Sequence, residues 1–194
     1  MTLTQAAFGP ASTLKNIALV LGGAGAIAIA AQASIGWPVA MTLQTLVILT
    51  LGFAYGARMG AATLVTYIGL GLMGLPVFSN AMNGAALLGP SAGFIYGFVA
   101  MAYLAGLASD RGIRNVFALA AIGIVISALL YIPGVAWAMG ADVVFGLDTS
   151  KWGASSFASI WQYYMAPFLV GDAIKAVLAA VLVSGAWSLM SRKA

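Results

Sequence analysis

Residues 116–139, "VFALAAIGIVISALLYIPGVAWAM", run without a single charged side chain. Wound into a helix at about 1.5 Å per residue, such a run is longer than the roughly 30 Å hydrocarbon core of a bilayer is thick. Five more predominantly apolar runs accompany it, at 14–32, 43–56, 60–77, 91–108 and 162–189, with charges only at Lys15 in the first and at Asp172 and Lys175 in the last. The second is short and is expected to enter at a tilt or to follow a partly buried loop. Charged residues make up only 6% of the chain, whereas a soluble domain commonly spends about a quarter of its residues on charge. The mean hydropathy is +1.05. A water-facing surface cannot be assembled from this inventory. The expectation is an all-α integral membrane protein, residues 1–194 forming a single transmembrane domain of six helices in contact with the lipid bilayer.

The same inventory excludes several functions. Four carboxylates, no Glu, no His and no Cys leave little for hydrolytic or metal chemistry, so no catalytic residue, metal site or cofactor is expected. No GxxxxGK[ST] stretch occurs, so any use of ATP needs another polypeptide. The pI near 9.6 does not imply nucleic acid, because eight basic residues spread over 194 form no patch.

With the N-terminus taken as cytoplasmic, Lys15, Arg58, Arg111, Arg114, Arg192 and Lys193 all fall on the inner side. Lys151 alone falls outside. That bias obeys the positive-inside rule, and an even number of spans puts both termini in the cytoplasm. A cleavable signal peptide ending near "AIAAQA" is the competing reading of the first run. Its removal would leave five spans and break the charge pattern.

Helices in lipid approach closely through small side chains. Gly52, Gly56 and Gly60 recur at four-residue spacing, as do Gly22, Ala26 and Ala30, and Ala24 with Ala28. Packing within the chain is the plainer explanation, and docking of a partner membrane protein is the alternative.

Asp172 and Lys175 lie inside the last run, three residues apart and so on one helix face. An ionisable group at membrane depth costs about 2.5–3.5 kcal/mol on insertion scales and marks a functional position by default. A silent, self-neutralising pair is the structural alternative. Two outer loops offer polar company. Residues 35–45 carry Trp37, Pro38, Thr42, Gln44 and Thr45, and residues 75–93 carry Asn80 and Asn83. Both are apolar despite their turn residues, as expected of backbone folded back into the protein.

Three segments, "PVAMTLQTL" at 38–46, "GLPVFSNAMNGAALLGPSAGFIYGF" at 74–98 and "FLVGDAIKAVLAA" at 168–180, resemble the BioY family. These are the biotin-binding S-components of energy-coupling-factor (ECF) vitamin transporters. Ala40 stands where the family pattern has a second Pro, and "GPSAG" replaces Gly-Pro-Thr-Gly-Gly. The resemblance implies an S-component-like helical fold in the bacterial cytoplasmic membrane. It also implies capture of biotin from the outer side and energy from a transmembrane coupling subunit with ABC-type ATPases. By the same resemblance, Asn83, Asp172 and Lys175 match ligand-contacting positions, with Gln44 an addition, and Ala24 and Ala28 lead the candidates for docking the coupling subunit. An ureido ring offers N–H donors and a carbonyl, which suit a carboxylate and an amide side chain. A different vitamin on the same scaffold, an intramembrane enzyme using Asp172 and Lys175, and a passive channel are the alternatives. The last two lack, respectively, a second catalytic group in a span and a ring of charge.

Overall fold

The structure, a computed structural model, describes residues 1–9 and 12–191. Arg192 and Lys193, part of the expected inner charge, lie outside the described residues. Eight α-helices follow in order: α1 Leu3–Phe8, α2 Thr13–Gln32, α3 Gln44–Tyr55, α4 Ala57–Leu72, α5 Ala92–Asp110, α6 Val116–Phe145, α7 Phe157–Ile160 and α8 Ala166–Ser191. A π-helical turn, Trp161–Met165, joins α7 to α8. Among the described residues, four helices are long and apolar enough to cross a membrane: Thr13–Gln32, Ala92–Asp110, Val116–Phe145 and the continuous Phe157–Met190.

The remaining two expected spans are shorter than a bilayer-crossing helix. α3 has 12 residues and α4 has 16, against roughly 17–25 for a span. Their limits have local causes. Gly56, at φ 85°, separates the two helices with no intervening loop. Gly74, at φ 95°, and Pro76 prevent α4 from continuing toward residue 77. α6 runs six residues beyond the expected end at 139, because Gly140 keeps helical geometry and the left-handed cap comes only at Gly146.

α5 occupies the centre, packed against α3, α4 and α6, while α8 lies along α6 and α3. The Gly52 and Gly60 positions serve this packing. A Cβ on Gly52 would lie 2.8 Å from the Ala102 carbonyl oxygen of α5, and one on Gly60 would lie 3.1 Å from the same atom. The four-residue glycine row is therefore a seam within the chain.

One end of the bundle gathers the basic residues. Asp110 accepts from the Ala57 amide at 3.1 Å, and the Arg114 guanidinium stacks 3.6 Å from the centre of the Trp187 ring. Thr4 of α1 hydrogen-bonds the Ala54 carbonyl, and Lys15 donates to the Phe8 carbonyl. At the other end, residues 33–43 fold on themselves through two hydrogen bonds between Ile35 and Met41, with Pro38 and Val39 buried. Gln32 ties this end to the next loop, donating to the Phe78 carbonyl and accepting from the Ala81 amide. Each loop is folded into the protein only in part: Pro38 and Val39 of the first and Val77, Phe78, Ala86 and Leu87 of the second are buried, whereas Ile35, Trp37, Leu75, Met82 and Leu88 stay exposed.

Candidate functional site

Under those loops, α3, α6 and α8 bring one carboxylate and three donors together. Asp172 Oδ1 accepts from Lys175 Nζ at 3.1 Å and from Thr45 Oγ1 at 3.1 Å. Asp172 Oδ2 accepts from the Tyr131 hydroxyl at 2.8 Å. The side chains of Lys175 and Asp172 are only 15% and 8% exposed. Each partner has a clear origin: the i,i+3 spacing of α8 places Lys175 over Asp172, Thr45 sits in the first turn of α3, and Tyr131 projects from the middle of α6.

A cavity of about 50 Å³ opens onto this cluster. Much of its remaining wall is aromatic and aliphatic, with Phe78 from the second loop, Phe94 and Phe98 from α5, Leu130 from α6 and Phe168 from α8, while Thr42, Gln44, Ser79 and Ser91 add polar side chains. Phe94 meets Tyr131 edge to face, ring centres 6.2 Å apart, which fixes the orientation of the phenol. A few convergent polar groups in an apolar wall are the usual makings of a small-molecule site.

The carboxylate retains acceptor capacity. Two donors on Oδ1 and one on Oδ2 leave one of its roughly four lone-pair positions open, on Oδ2. Lys175 carries three N–H donors, and Asp172 is its recorded acceptor among the described residues. An acceptor and a donor thus lie side by side at the cavity. Nothing here resembles a metal site: among the described residues no group of three or more His, Cys, Asp or Glu could hold an ion.

The expected site residues fall in different places. Asp172 and Lys175 are at the cavity, as anticipated. Gln44 also lines it, but its polar atoms are engaged in holding the loops. Its amide donates to Tyr67 OH at 2.9 Å, Tyr67 donates onward to the Val77 carbonyl at 3.0 Å, and Thr42 donates to Gln44 Oε1 at 3.1 Å. Asn83 is not brought to the cluster. It is exposed and caps the short 3-10 turn Gly84–Leu88, accepting from the Ala85 amide at 3.2 Å. Ala24 is fully buried in the core and Ala28 is half-buried against it, so this pair faces the bundle interior. In the neighbouring row of Gly22, Ala26 and Ala30, Ala30 is buried as well. The small residues that face outward on α2 are Ala18 and Gly22, with Ala26 half-buried beside them.

Tyr131 was missed by sequence reasoning, and Thr45 was noted only as part of a polar loop. The available signal for Tyr131 was its depth: a hydroxyl in the middle of an uncharged helix, far from the ends where aromatic residues gather at the membrane surface.

A family model described as the BioY family matches residues 3–192. The chain belongs to the BioY family. The Biotin transporter BioY of Rhizobium etli is 34% identical over 157 residues, covering 75% of this chain and 76% of that protein. The Probable biotin transporter BioY of Pyrococcus horikoshii is 28% identical over 170 residues, covering 87% and 93%. The match to the Biotin transporter BioY of Thermotoga maritima is 39% identical but spans only 44% of that relative's length. The fold is similar to a crystal structure of the S-component for biotin from an ECF-type ABC transporter. That similarity has a TM-score of 0.69 and 23% identity, covering 90% of this chain and 93% of the other. Membership in the BioY family places this multi-pass membrane protein among transport proteins rather than enzymes.

Proposed function

We propose that this chain is the substrate-binding subunit for biotin, taking the vitamin into the cavity beside Asp172 and Lys175. The observation that carries the reading is the buried Asp172 cluster, which presents an open acceptor and spare donors to a cavity with a broad aromatic wall. A cyclic urea presents the complementary pair, an N–H beside a carbonyl. The N–H would donate to Asp172 Oδ2 and the carbonyl would accept from Lys175, while the phenyl rings cover the sulfur-containing ring. Lys175 would also keep Asp172 charge-balanced. The biotin named for the relatives agrees with this chemistry.

The cavity of about 50 Å³ is smaller than the roughly 300–1,000 Å³ typical of ligand pockets. Binding therefore requires the loops at 33–43 and 75–91 to shift. In such a shift Asn83, five residues beyond Phe78 of the cavity wall, would come within reach of the ligand.

In the membrane, we place six spans with both termini on the basic, cytoplasmic side, α3 and α4 forming a short pair shielded by α2 and α5. A coupling subunit and its ABC-type ATPases would supply the energy that this chain does not encode. The outward small row of Ala18, Gly22 and Ala26 offers the close helix approach that such docking needs.

The test is binding of labelled biotin to purified protein, with unlabelled biotin, desthiobiotin, thiamine and riboflavin as competitors. Biotin and desthiobiotin, which keeps the cyclic urea, are expected to compete, and thiamine and riboflavin to fail. Displacement by thiamine or riboflavin alone would assign the scaffold to another vitamin.

A further inference from the structure

Ser127, on α6, is 3% exposed, and among the described residues its Oγ is the buried side-chain polar atom that lacks a hydrogen-bond partner. Leaving a buried hydroxyl unpaired costs free energy. A Ser in an apolar helix ordinarily avoids that cost by donating to the carbonyl one turn earlier. Ser127 makes no such bond.

Its place on α6 is one turn before Tyr131, the α6 member of the Asp172 cluster. Leu130 and Tyr131, three and four residues on, share its face of α6 and line the cavity. Gly123, four residues back, lies against α8, where an added Cβ would sit 3.1 Å from the Ala176 Cβ. The two helices run antiparallel, with Arg114 beside Trp187, Gly123 beside Ala176 and Tyr131 bonded to Asp172. Ser127 therefore occupies the turn between the cavity floor and the tight Gly123–Ala176 contact.

We propose that Ser127 is a positioning residue of the ligand site, its hydroxyl retained for the ligand-bound arrangement of the Asp172–Lys175–Tyr131 cluster. A ligand N–H that fills the open position on Asp172 Oδ2 comes to lie beside the Tyr131 hydroxyl already bonded to that oxygen, and the hydroxyl must turn to make room for it. A hydroxyl one turn below gives a displaced donor an acceptor, so the cluster rearranges without a new unpaired group. In the ligand-free protein the same hydroxyl is idle. The inference rests on the reading of this cluster as the biotin site.

The experiment compares Ser127→Ala and Ser127→Cys with wild type, measuring biotin affinity and the melting temperature of the ligand-free protein. Cys nearly preserves volume but is a poor hydrogen-bonding group, so it separates polarity from packing. Both variants are expected to lose about fivefold in affinity, the worth of one hydrogen bond, while the ligand-free protein melts no lower than wild type. Wild-type affinity in the Cys variant overturns the proposal, whether or not the Ala variant binds or folds. Failure of the wild type itself to bind biotin overturns the functional reading, and this inference with it.

Discussion

The chain contains two Asp-x-x-Lys pairs of nearly equal geometry and opposite surroundings. Lys151 and Asp148 meet at 3.0 Å with side chains 80% and 55% exposed, whereas Lys175 and Asp172 meet at 3.1 Å with side chains 15% and 8% exposed. Spacing and distance do not distinguish them; solvent does. Water screens the outer pair and takes over either partner when the other is lost, so such contacts contribute little. The inner pair has no such substitute. Removing one of its members leaves a charge stranded among apolar side chains.

The largest effect is expected from Asp172→Asn. It removes the carboxylate that organises Lys175, Thr45 and Tyr131, and biotin binding should fall at least ~100-fold, in line with losing one partner of a buried charge pair. Denaturant unfolding of the same variant should show a loss of about 3–5 kcal/mol.

Replacing both charges sharpens the contrast. The double variant Asp172→Leu, Lys175→Met should regain that stability in full or exceed it, because apolar replacement of a complete buried pair is often neutral or stabilising. A smaller loss is expected from Tyr131→Phe, which deletes one hydrogen bond to the carboxylate while preserving the ring that packs on Phe94. Its affinity for biotin should fall about tenfold, the worth of a hydrogen bond to a charged group.

The smallest effect belongs to the outer pair. The Ser150 hydroxyl and the Lys151 ammonium hold the Asp148 carboxyl below its ordinary value. A depressed folded-state pKa means the contribution is present above the ordinary carboxylate value, near 3.9, and is lost as pH falls through the folded value. Asp148→Asn should therefore differ most from wild type at neutral pH, with the difference vanishing in acid. Solvent around the pair makes even the neutral-pH difference slight. Thermal melts at pH 7 and below pH 4 would show it, and biotin binding should be untouched.

The same contrast explains what could be read from the sequence. Apolar run length gave the four long helices, because lipid demands an uninterrupted hydrophobic stretch. It also located the two short helices as the runs 43–56 and 60–77, but not the limits of α4, because Gly56 and Gly74 set these by backbone geometry rather than by composition. Asp172 and Lys175 were legible because charge is scarce in this chain. Tyr131 was not, since a Tyr in an apolar run passes for packing until a partner appears across the bundle. Asn83 and Ala24 were selected by motif position alone; the loop leaves Asn83 exposed and the rotation of α2 buries Ala24.

The central claim is that the buried pair is kept for ligand binding rather than for stability. The most direct measurement is biotin binding to the purified Asp172→Leu, Lys175→Met variant beside wild type. Loss of binding by a protein that melts at or above the wild-type temperature is the predicted result. Wild-type affinity in that variant would contradict the account.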